Sequence, residues 1–472
     1  MLKLPQTTKG TGYNLMIESQ SPLYNEFKAI LNTIDPDRVK ELLAYMRTEA
    51  INFNLFKNGS FIERKFPFDL IPRIVSAQEF DYLNKGIQQR IYALNLFLED
   101  IYSEQKILKD GIIPADFVFA SKSFLPEFIN TPVSKNIRVH ISGIDLVKNS
   151  VGDGWVVLED NLRVPSGVSY PLSIRKLTRK VFPEFFESMP IEKVLDYPQI
   201  LKKTMDFVNT GGINVVLTPG RYNSAFYEHS YLAKESGAVF ATGEDLFVEN
   251  NILYFKTFNG KRARVGAVYR RLDDDALDPK FFQPTSLIGV PHLAQVYRAG
   301  NLGLMNSIGN GIADDKGIYY FVPQMIRYYM GEEPILQNAP TYLAFFEKDR
   351  QHIIQNLRTL VIKDVAEAGG YGVLFGSQLS KSERESLKEA ILKEPRRFIA
   401  QEVIEFYDIE CQNDQGHLIP HKADLRMYSL YGEEIVVWPG GLTRYAMDPK
   451  SYIVNSSQGG GFKDTWVLKE SK

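Results

Sequence analysis

The stretch Val156-Val157-Leu158-Glu159-Asp160-Asn161-Leu162-Arg163 constrains this chain more than any other. It reads as a buried strand whose end presents Glu159, Asn161 and Arg163 in an i, i+2, i+4 row. Alternate residues of a strand share a face, so a carboxylate, an amide oxygen and a guanidinium line up together. Two hard oxygen donors beside a phosphate-seeking fork suit a site for a magnesium-bound nucleotide. Upstream, Asp145 lies in Ile141-Ser142-Gly143-Ile144-Asp145-Leu146-Val147, and Ser150-Val151-Gly152-Asp153-Gly154 reads as a hairpin loop. Closure symmetric about Gly152 pairs Asn149 with Trp155 and sets Asp145 opposite Glu159. Asp145, Glu159 and Asn161 then converge on one cation. A slip of one residue would turn Asp145 to the other face. The plainer alternative is a polar strand end running into the Pro165-Ser166-Gly167 turn.

At 472 residues the chain exceeds one hydrophobic core, so roughly two or three domains are expected. Lys+Arg 55 against Asp+Glu 57 leaves a net charge of −2, which offers no electrostatic footprint for nucleic acid or a membrane surface. The single cysteine, Cys411, excludes an internal disulfide and a cysteine-cluster metal site, and it fits a reducing cytoplasm. No apolar leader and no run long enough to span a bilayer is present, so a soluble, cytoplasmic protein is expected.

Residues 1–136 read as mainly helical, with helical spacing from Asp37 to Phe56 and from Gln78 to Gln105. Phe66 to Arg73 reads as a proline-punctuated connector. Residues 200–290 alternate helix and strand, which implies an open α/β layer. Strands at 361–363 and 372–375 flank a glycine turn, a helix follows from Lys381 to Lys393, and the segment from Phe398 to Leu468 is strand-rich.

Several later stretches carry chemistry. Leu360-Val361-Ile362-Lys363-Asp364 precedes Ala368-Gly369-Gly370-Tyr371-Gly372, where glycines let backbone N–H groups close over phosphates and Lys363 adds a point charge. The run lacks the GxxxxGK[ST] form, and a ligand-free glycine hairpin is the alternative. Gln401, Glu402 and Ile404 sit in a strand, Phe398 to Glu405, that can read a base through its backbone. Arg426 lies on a strand in Ala423-Asp424-Leu425-Arg426-Met427-Tyr428. Pro439-Gly440-Gly441-Leu442-Thr443-Arg444 and Asn455 to Asp464 place glycines beside cations and amides. Arg270 and Arg271 could clamp a carboxylate or pair with Asp273 to Asp275. Glu228 and His229 could meet an amine or form a solvated helix face.

The order of these segments resembles an ATP-grasp enzyme whose chain has been cut and rejoined. Ordinarily a lysine and glycine lid comes first, then an adenine hinge, an arginine strand, an aspartate strand and a Glu-x-Asn strand. Here the closing Asp145, Glu159 and Asn161 stand ahead of Lys363, Gly369–Gly372, the hinge and Arg426, as in the circularly permuted ATP-grasp family (type 2), related to glutathionylspermidine synthase. Pro67 to Arg73, Gln89 to Asn95, Tyr269 to Asp275 and Asn455 to Trp466 also look like that family.

The resemblance implies an α/β (α+β), circularly permuted ATP-grasp fold. Residues 1–136 would be a helical region and 137–204 the permuted metal-binding part. Residues 205–312 would be a pre-ATP-grasp open α/β domain, 313–466 the lid, hinge and remaining core, and 467–472 a tail. It implies ATP and Mg²⁺ as cofactors, with Asp145, Glu159 and Asn161 as metal ligands and Arg163 and Arg426 facing the transferred phosphoryl group. Lys316, Lys363, Gly369, Gly370, Tyr371, Gly372, Gln401, Glu402, Ile404 and Asn455 would hold the nucleotide. Arg270, Arg271 and Glu228 remain candidates for substrate.

The activity expected is ADP-forming ligation of a carboxylate to an amine through an acyl phosphate, on small molecules or short peptides. A phosphotransferase using the same site is the alternative, with a non-catalytic nucleotide-binding protein as the third. The substrates and the oligomeric state are not legible.

Overall fold

A computed structural model describes residues 18–49, 67–150, 154–257, 259–365, 372–412, 417–449, 451–452, 454 and 460–470, with the backbone of 52–57 and 60–65. It is a mixed α/β structure, and its largest sheet interleaves early and late sequence. Along that sheet run Gln337–Asn338, Gly154–Asn161, Ile141–Asn149, Leu418–Tyr431, Leu442–Tyr445, Gly461–Val467 and Phe68–Val75. Asp408–Gln412 and Ile435–Val437 also pair with the long 418–431 strand. Apolar residues drive this assembly: Ile144, Leu146, Val157, Leu425 and Met427 are all buried in one shared core.

The hairpin reaches the expected pairing by an unexpected route. Its closing pair is Asn149 with Gly154, and Lys148 rather than Asn149 faces Trp155. The symmetric closure about Gly152 is therefore off by one. A register shift between Asp145 and Leu146 then corrects the ladder, because Leu146 pairs with Val157 while Asp145 pairs with Glu159. One extra residue, Leu158, is accommodated on the second strand, the signature of a β-bulge. The bulge brings Asp145 and Glu159 opposite each other despite the different turn.

A second sheet carries the parallel strands Val239–Ala241, Ile213–Leu217, Arg262–Arg270 and Gly303–Met305 side by side. The third is small: Thr341–Leu343, Phe398–Glu402, Leu360–Asp364 and Val373–Phe375, in that order. The helices Glu347–Asn356 and Lys381–Lys393 accompany it, and Ile353, Leu357, Leu360, Ile362, Leu387, Ile391 and Phe398 form its own core. Leu343 and Ile399 of the same sheet join the main core instead.

The helix Ala77–Ile101 opens with a capping box in which Ser76 and Glu79 each bond the other's backbone N–H. Leu83, Ile87, Leu94, Phe97, Leu98 and Ile101 are buried along it at helical spacing. No helix among the described residues is long and apolar enough to cross a membrane.

Two expectations for the first part of the chain are corrected. The helix of Pro36–Glu49 stops before Phe56, and Asn52–Lys57 is instead a strand paired antiparallel with Ser60–Lys65. Alternating Phe53, Leu55 and the dipeptide Asn58-Gly59 are hairpin signals that the helical spacing concealed. Phe68–Val75 is an edge strand, not a connector, and lies parallel to Gly461–Val467. Its ladder jumps from Asp69 to Arg73, so Pro72 falls where no ladder bond is required.

Candidate functional site

Strand alternation sorts three neighbouring acids and amides into two environments. Asp160 points into the core, where Arg90 Nε and Nη2 grip its two oxygens at 2.6 and 2.7 Å. Glu159 and Asn161 point the other way. Glu159 accepts from Lys316 Nζ at 2.9 Å, and Leu158, Glu159, Lys316, Lys363, Ile399 and Gln401 line one cleft. Three separate stretches of chain supply that lining: the hairpin, the segment after Asn310–Asp314, and the small lid sheet.

Charge in the cleft is balanced by burial and proximity. Burial pushes the Glu159 carboxyl up, but Lys316 and Lys363 outweigh it and hold the group below the usual carboxylate range. Burial works against the Lys316 ammonium, yet Glu159 more than offsets it and keeps this lysine above its ordinary value. Lys363 behaves differently. Burial, reinforced by Lys316, brings it down to about 8 against the opposing pull of Glu159 and Asp145.

Asp145 is 4 % exposed and doubly gripped. Arg426 Nε and Nη2 lie at 2.6 and 2.8 Å from its two oxygens, and Arg444 Nη2 adds a contact at 2.8 Å. Burial would raise this carboxyl, but the two guanidiniums hold it far below the ordinary range. Arg444 also grips Asp424, so two acids and two arginines form one buried network across three strands.

Asn161 Nδ2 is buried with no hydrogen-bond partner among the described residues. Among those residues no group of three His, Cys, Asp or Glu side chains is disposed to hold a metal ion. The candidate set is instead two carboxylates and an amide. The oxygens of two carboxylates and an amide are hard donors of the kind a Mg²⁺ ion takes.

The remaining expected site residues fall into different places. Arg163 lies past the strand end at Asn161, with Nε 3.3 Å from Asp314 and Nη1 3.7 Å from Asp273. Lys363 stands on Leu360–Asp364, antiparallel to both Val373–Phe375 and the hinge strand. Gly372 takes φ +76°, a left-handed conformation suited to glycine, where the hairpin re-enters the strand. Gly369, Gly370, Tyr371 and Asn455 lie outside the described residues. Gln401 is buried and donates to Thr341 Oγ1 at 3.1 Å, while exposed Glu402 accepts from Tyr342 Oη at 2.8 Å. The hinge strand ends at Glu402, which leaves Val403, Ile404 and Glu405 in a connector outside the ladder. Glu405 accepts from Tyr452 Oη at 2.9 Å.

Three substrate candidates are placed elsewhere. Arg270 is fully buried and spends its donors on the carbonyls of Leu272, Asn306 and Ser307, on Asn310 and on Asp274. Arg271 donates to the Pro165 carbonyl at 2.8 Å, to Tyr269 Oη, to Ser166 and to Glu228. Glu228 is 1 % exposed and accepts from Gly167 N at 2.8 Å and Ser169 N at 3.0 Å. Arg271 and Glu228 brace the 165–169 turn against the parallel sheet, Arg270 ties the strand end to the 306–310 segment, and all three are buried. Burial on both sides of the strand end prevails over the clamp geometry that an adjacent arginine pair suggests.

Two residues to which the sequence assigns no role, Asp314 and Tyr319, shape the site. Asp314 accepts from the backbone N–H of Leu162 at 2.6 Å and of Arg163 at 3.2 Å, which fixes the chain just past Asn161. Tyr319 donates to the Val157 carbonyl at 2.5 Å and lines the cleft. The doublet Asp314-Asp315 before Lys316 was the available signal.

Comparisons with known proteins agree with this architecture. Residues 72–446 match the family described as circularly permuted ATP-grasp type 2. An uncharacterised protein of Synechocystis sp. is 47 % identical over 428 residues, covering 89 % of this chain and 88 % of its own. An uncharacterised Mycobacterium tuberculosis protein is 41 % identical over 468 residues, covering 97 % and 84 %. A Frankia casuarinae protein provisionally named a glutamate–cysteine ligase is 37 % identical over 98 % of this chain, which spans 55 % of that longer protein. Among solved structures, a glutathione synthetase-like effector from Globodera pallida superposes with a TM-score of 0.60 at 12 % identity, covering 92 % of this chain and 98 % of the other. With the family match running through the hairpin, the lid sheet and the hinge, the chain belongs to the circularly permuted ATP-grasp type 2 family.

Proposed function

We propose that this protein is an ATP-dependent carboxylate–amine ligase that forms an amide or peptide bond and releases ADP and phosphate. The observation that carries the reading is the single cleft lined by Glu159, Lys316, Lys363 and Gln401, brought together from distant parts of the chain. A ligase name on a relative that shares this region adds support, although that relative is a longer protein.

Lys316 and Lys363 would hold the phosphates, with Gln401, Glu402 and Ile404 framing adenine and Asn455 and the Gly369–Gly372 lid closing over the nucleotide. Asp145, Glu159 and Asn161 would hold Mg²⁺, which supplies charge compensation on the phosphate oxygens. A substrate carboxylate oxygen attacks the γ-phosphorus, the bond to the bridging oxygen breaks, and ADP leaves with that electron pair. The amine nitrogen then attacks the acyl carbon, phosphate departs, and the amine gives up a proton. Arg163 and Arg426 are the cations proposed to offset charge on the transferred group. Arg426 would share itself between that group and Asp145. A closed lid would keep water from the acyl phosphate.

ADP release from purified protein supplied with pooled amino acids, short peptides and polyamines tests the reading. Turnover that requires both an acid and an amine is expected. ADP formed with an acceptor alcohol and no amine would make the protein a phosphotransferase instead.

The low value of Lys363 gives a pH signature. Its cationic form predominates below about 8 and is lost as the pH rises through that value. Affinity for ATP should therefore weaken from about pH 7 to about pH 9.5, a trend that titration calorimetry can follow. Lys363→Met should remove most of that slope.

A further inference from the structure

Two adjacent arginines stand just ahead of the hinge strand, and each grips the aspartate next to one of the cleft lysines. Arg396 Nη2 lies 2.7 Å from Asp315 Oδ2, and Asp315 precedes Lys316. Arg397 Nε lies 2.6 Å from Asp364 Oδ2, and Asp364 follows Lys363. The nucleotide reading uses neither arginine.

The Arg396 junction is built tightly. Its Nε donates to the Phe117 carbonyl at 2.9 Å, and its guanidinium carbon sits 3.8 Å from the centroid of the Phe117 ring. Asp315 also accepts from Ser121 Oγ at 2.9 Å and from Gly317 N at 2.8 Å. A Cβ at Gly317 would lie 2.5 Å from Phe117 Cζ, so the same ring packs directly on the backbone just past Lys316. On the lid side, the Arg397 carbonyl accepts from Val365 N at 2.9 Å, and Asp364 pairs with Phe398 in the ladder. Arg397 is half exposed, whereas Arg396 is mostly covered.

A lysine side chain is flexible and aims poorly unless its backbone is fixed. Neighbouring residues have Cα atoms about 3.8 Å apart, so two grips on consecutive residues cannot drift independently. We infer that Arg396 and Arg397 are a positioning pair that sets the separation and aim of Lys316 and Lys363 on the phosphates of a bound nucleotide. This rests on the ATP reading above. Through the pair, the body of the protein and the lid sheet present their two lysines at one fixed spacing.

Double-mutant cycles on Mg·ATP affinity test it, with calorimetry on wild type, R396M, K316M and R396M/K316M, and the matching R397M and K363M set. A charged, mostly buried grip of this kind predicts that R396M weakens binding about tenfold in the wild-type background and less than about twofold beside K316M. R397M, being more exposed, should cost about threefold and nothing further beside K363M. Losses that simply add in both cycles, or no loss from either arginine change, would overturn the inference. If R396M does not fold, as judged by circular dichroism, D315N in the same cycle with K316M carries the test. Wild-type protein that fails to bind Mg·ATP would refute the ATP reading itself. Binding by wild type with additive losses refutes only the positioning pair.

Discussion

Glu159→Gln should reduce ATP-dependent turnover by about 10²–10³-fold while the protein remains folded. The substitution keeps size and shape but removes the charge that Lys316 and Lys363 oppose in the cleft. The proposed cation would lose one of two anionic ligands, and charge on the transferring phosphoryl group would go uncompensated. Steady-state ADP release with saturating substrates measures the loss. Because Glu159 is partly open to the cleft rather than locked in the core, the unfolding midpoint should change little. A turnover equal to wild type would remove Glu159 from the site.

Asp160→Ala, one residue along, should behave in the opposite way. Arg90 is 1 % exposed and holds both oxygens of Asp160, so truncation leaves a buried guanidinium without its counter-ion. Removing one partner of a buried ion pair costs about 3–5 kcal/mol, among the larger single-residue effects. Arg90 Nη1 also donates to Asn338 Oδ1 at 2.8 Å, so the loss should loosen the edge strand Gln337–Asn338 along with the hairpin. Urea unfolding followed by tryptophan fluorescence would report it, since Trp155 sits at the start of the same strand. An unchanged midpoint would mean that the pair contributes nothing net. Strand alternation turns Glu159 to the cleft lysines and Asp160 to Arg90 in the core.

Period-two alternation explains why the hairpin could be read from sequence. Glu159, Asn161 and Asp145 fall on one side because the strand forces them to, and the polar residues stand out against an apolar run. The turn was less legible. Symmetric closure about Gly152 and the observed Asn149–Gly154 closure differ by one residue, and only the bulge at Leu158 reconciles them. Bulges leave no sequence mark of their own. The lid lysine and its flanking strands were also readable, because Leu360 to Lys363 and Val373 to Phe375 bracket glycines.

Arg270, Arg271 and Glu228 are buried, which their sequence neighbourhood does not reveal. Exposure cannot be inferred from a charged residue type when long-range contacts decide it. Glu228 and Gly167 lie far apart in sequence, and only the folded turn reveals that the carboxylate caps backbone N–H groups. The Arg396–Asp315 contact is equally invisible from local pattern, since it joins the lid sheet to the body across a long chain separation. Asp37 to Phe56 failed for a different reason. The helical spacing of apolar residues continues past Glu49, where the chain forms a pair of antiparallel strands instead.

A crystal of the protein grown with Mn²⁺ and a non-hydrolysable ATP analogue would weigh the whole account at once, because manganese is located by its anomalous signal. The account predicts an ion bound by Asp145, Glu159 and Asn161, with the triphosphate running from it toward Lys316 and Lys363 and the base beside Gln401. An ion and nucleotide seated away from the hairpin, with Asp145 still closed on Arg426 and Arg444, would contradict it.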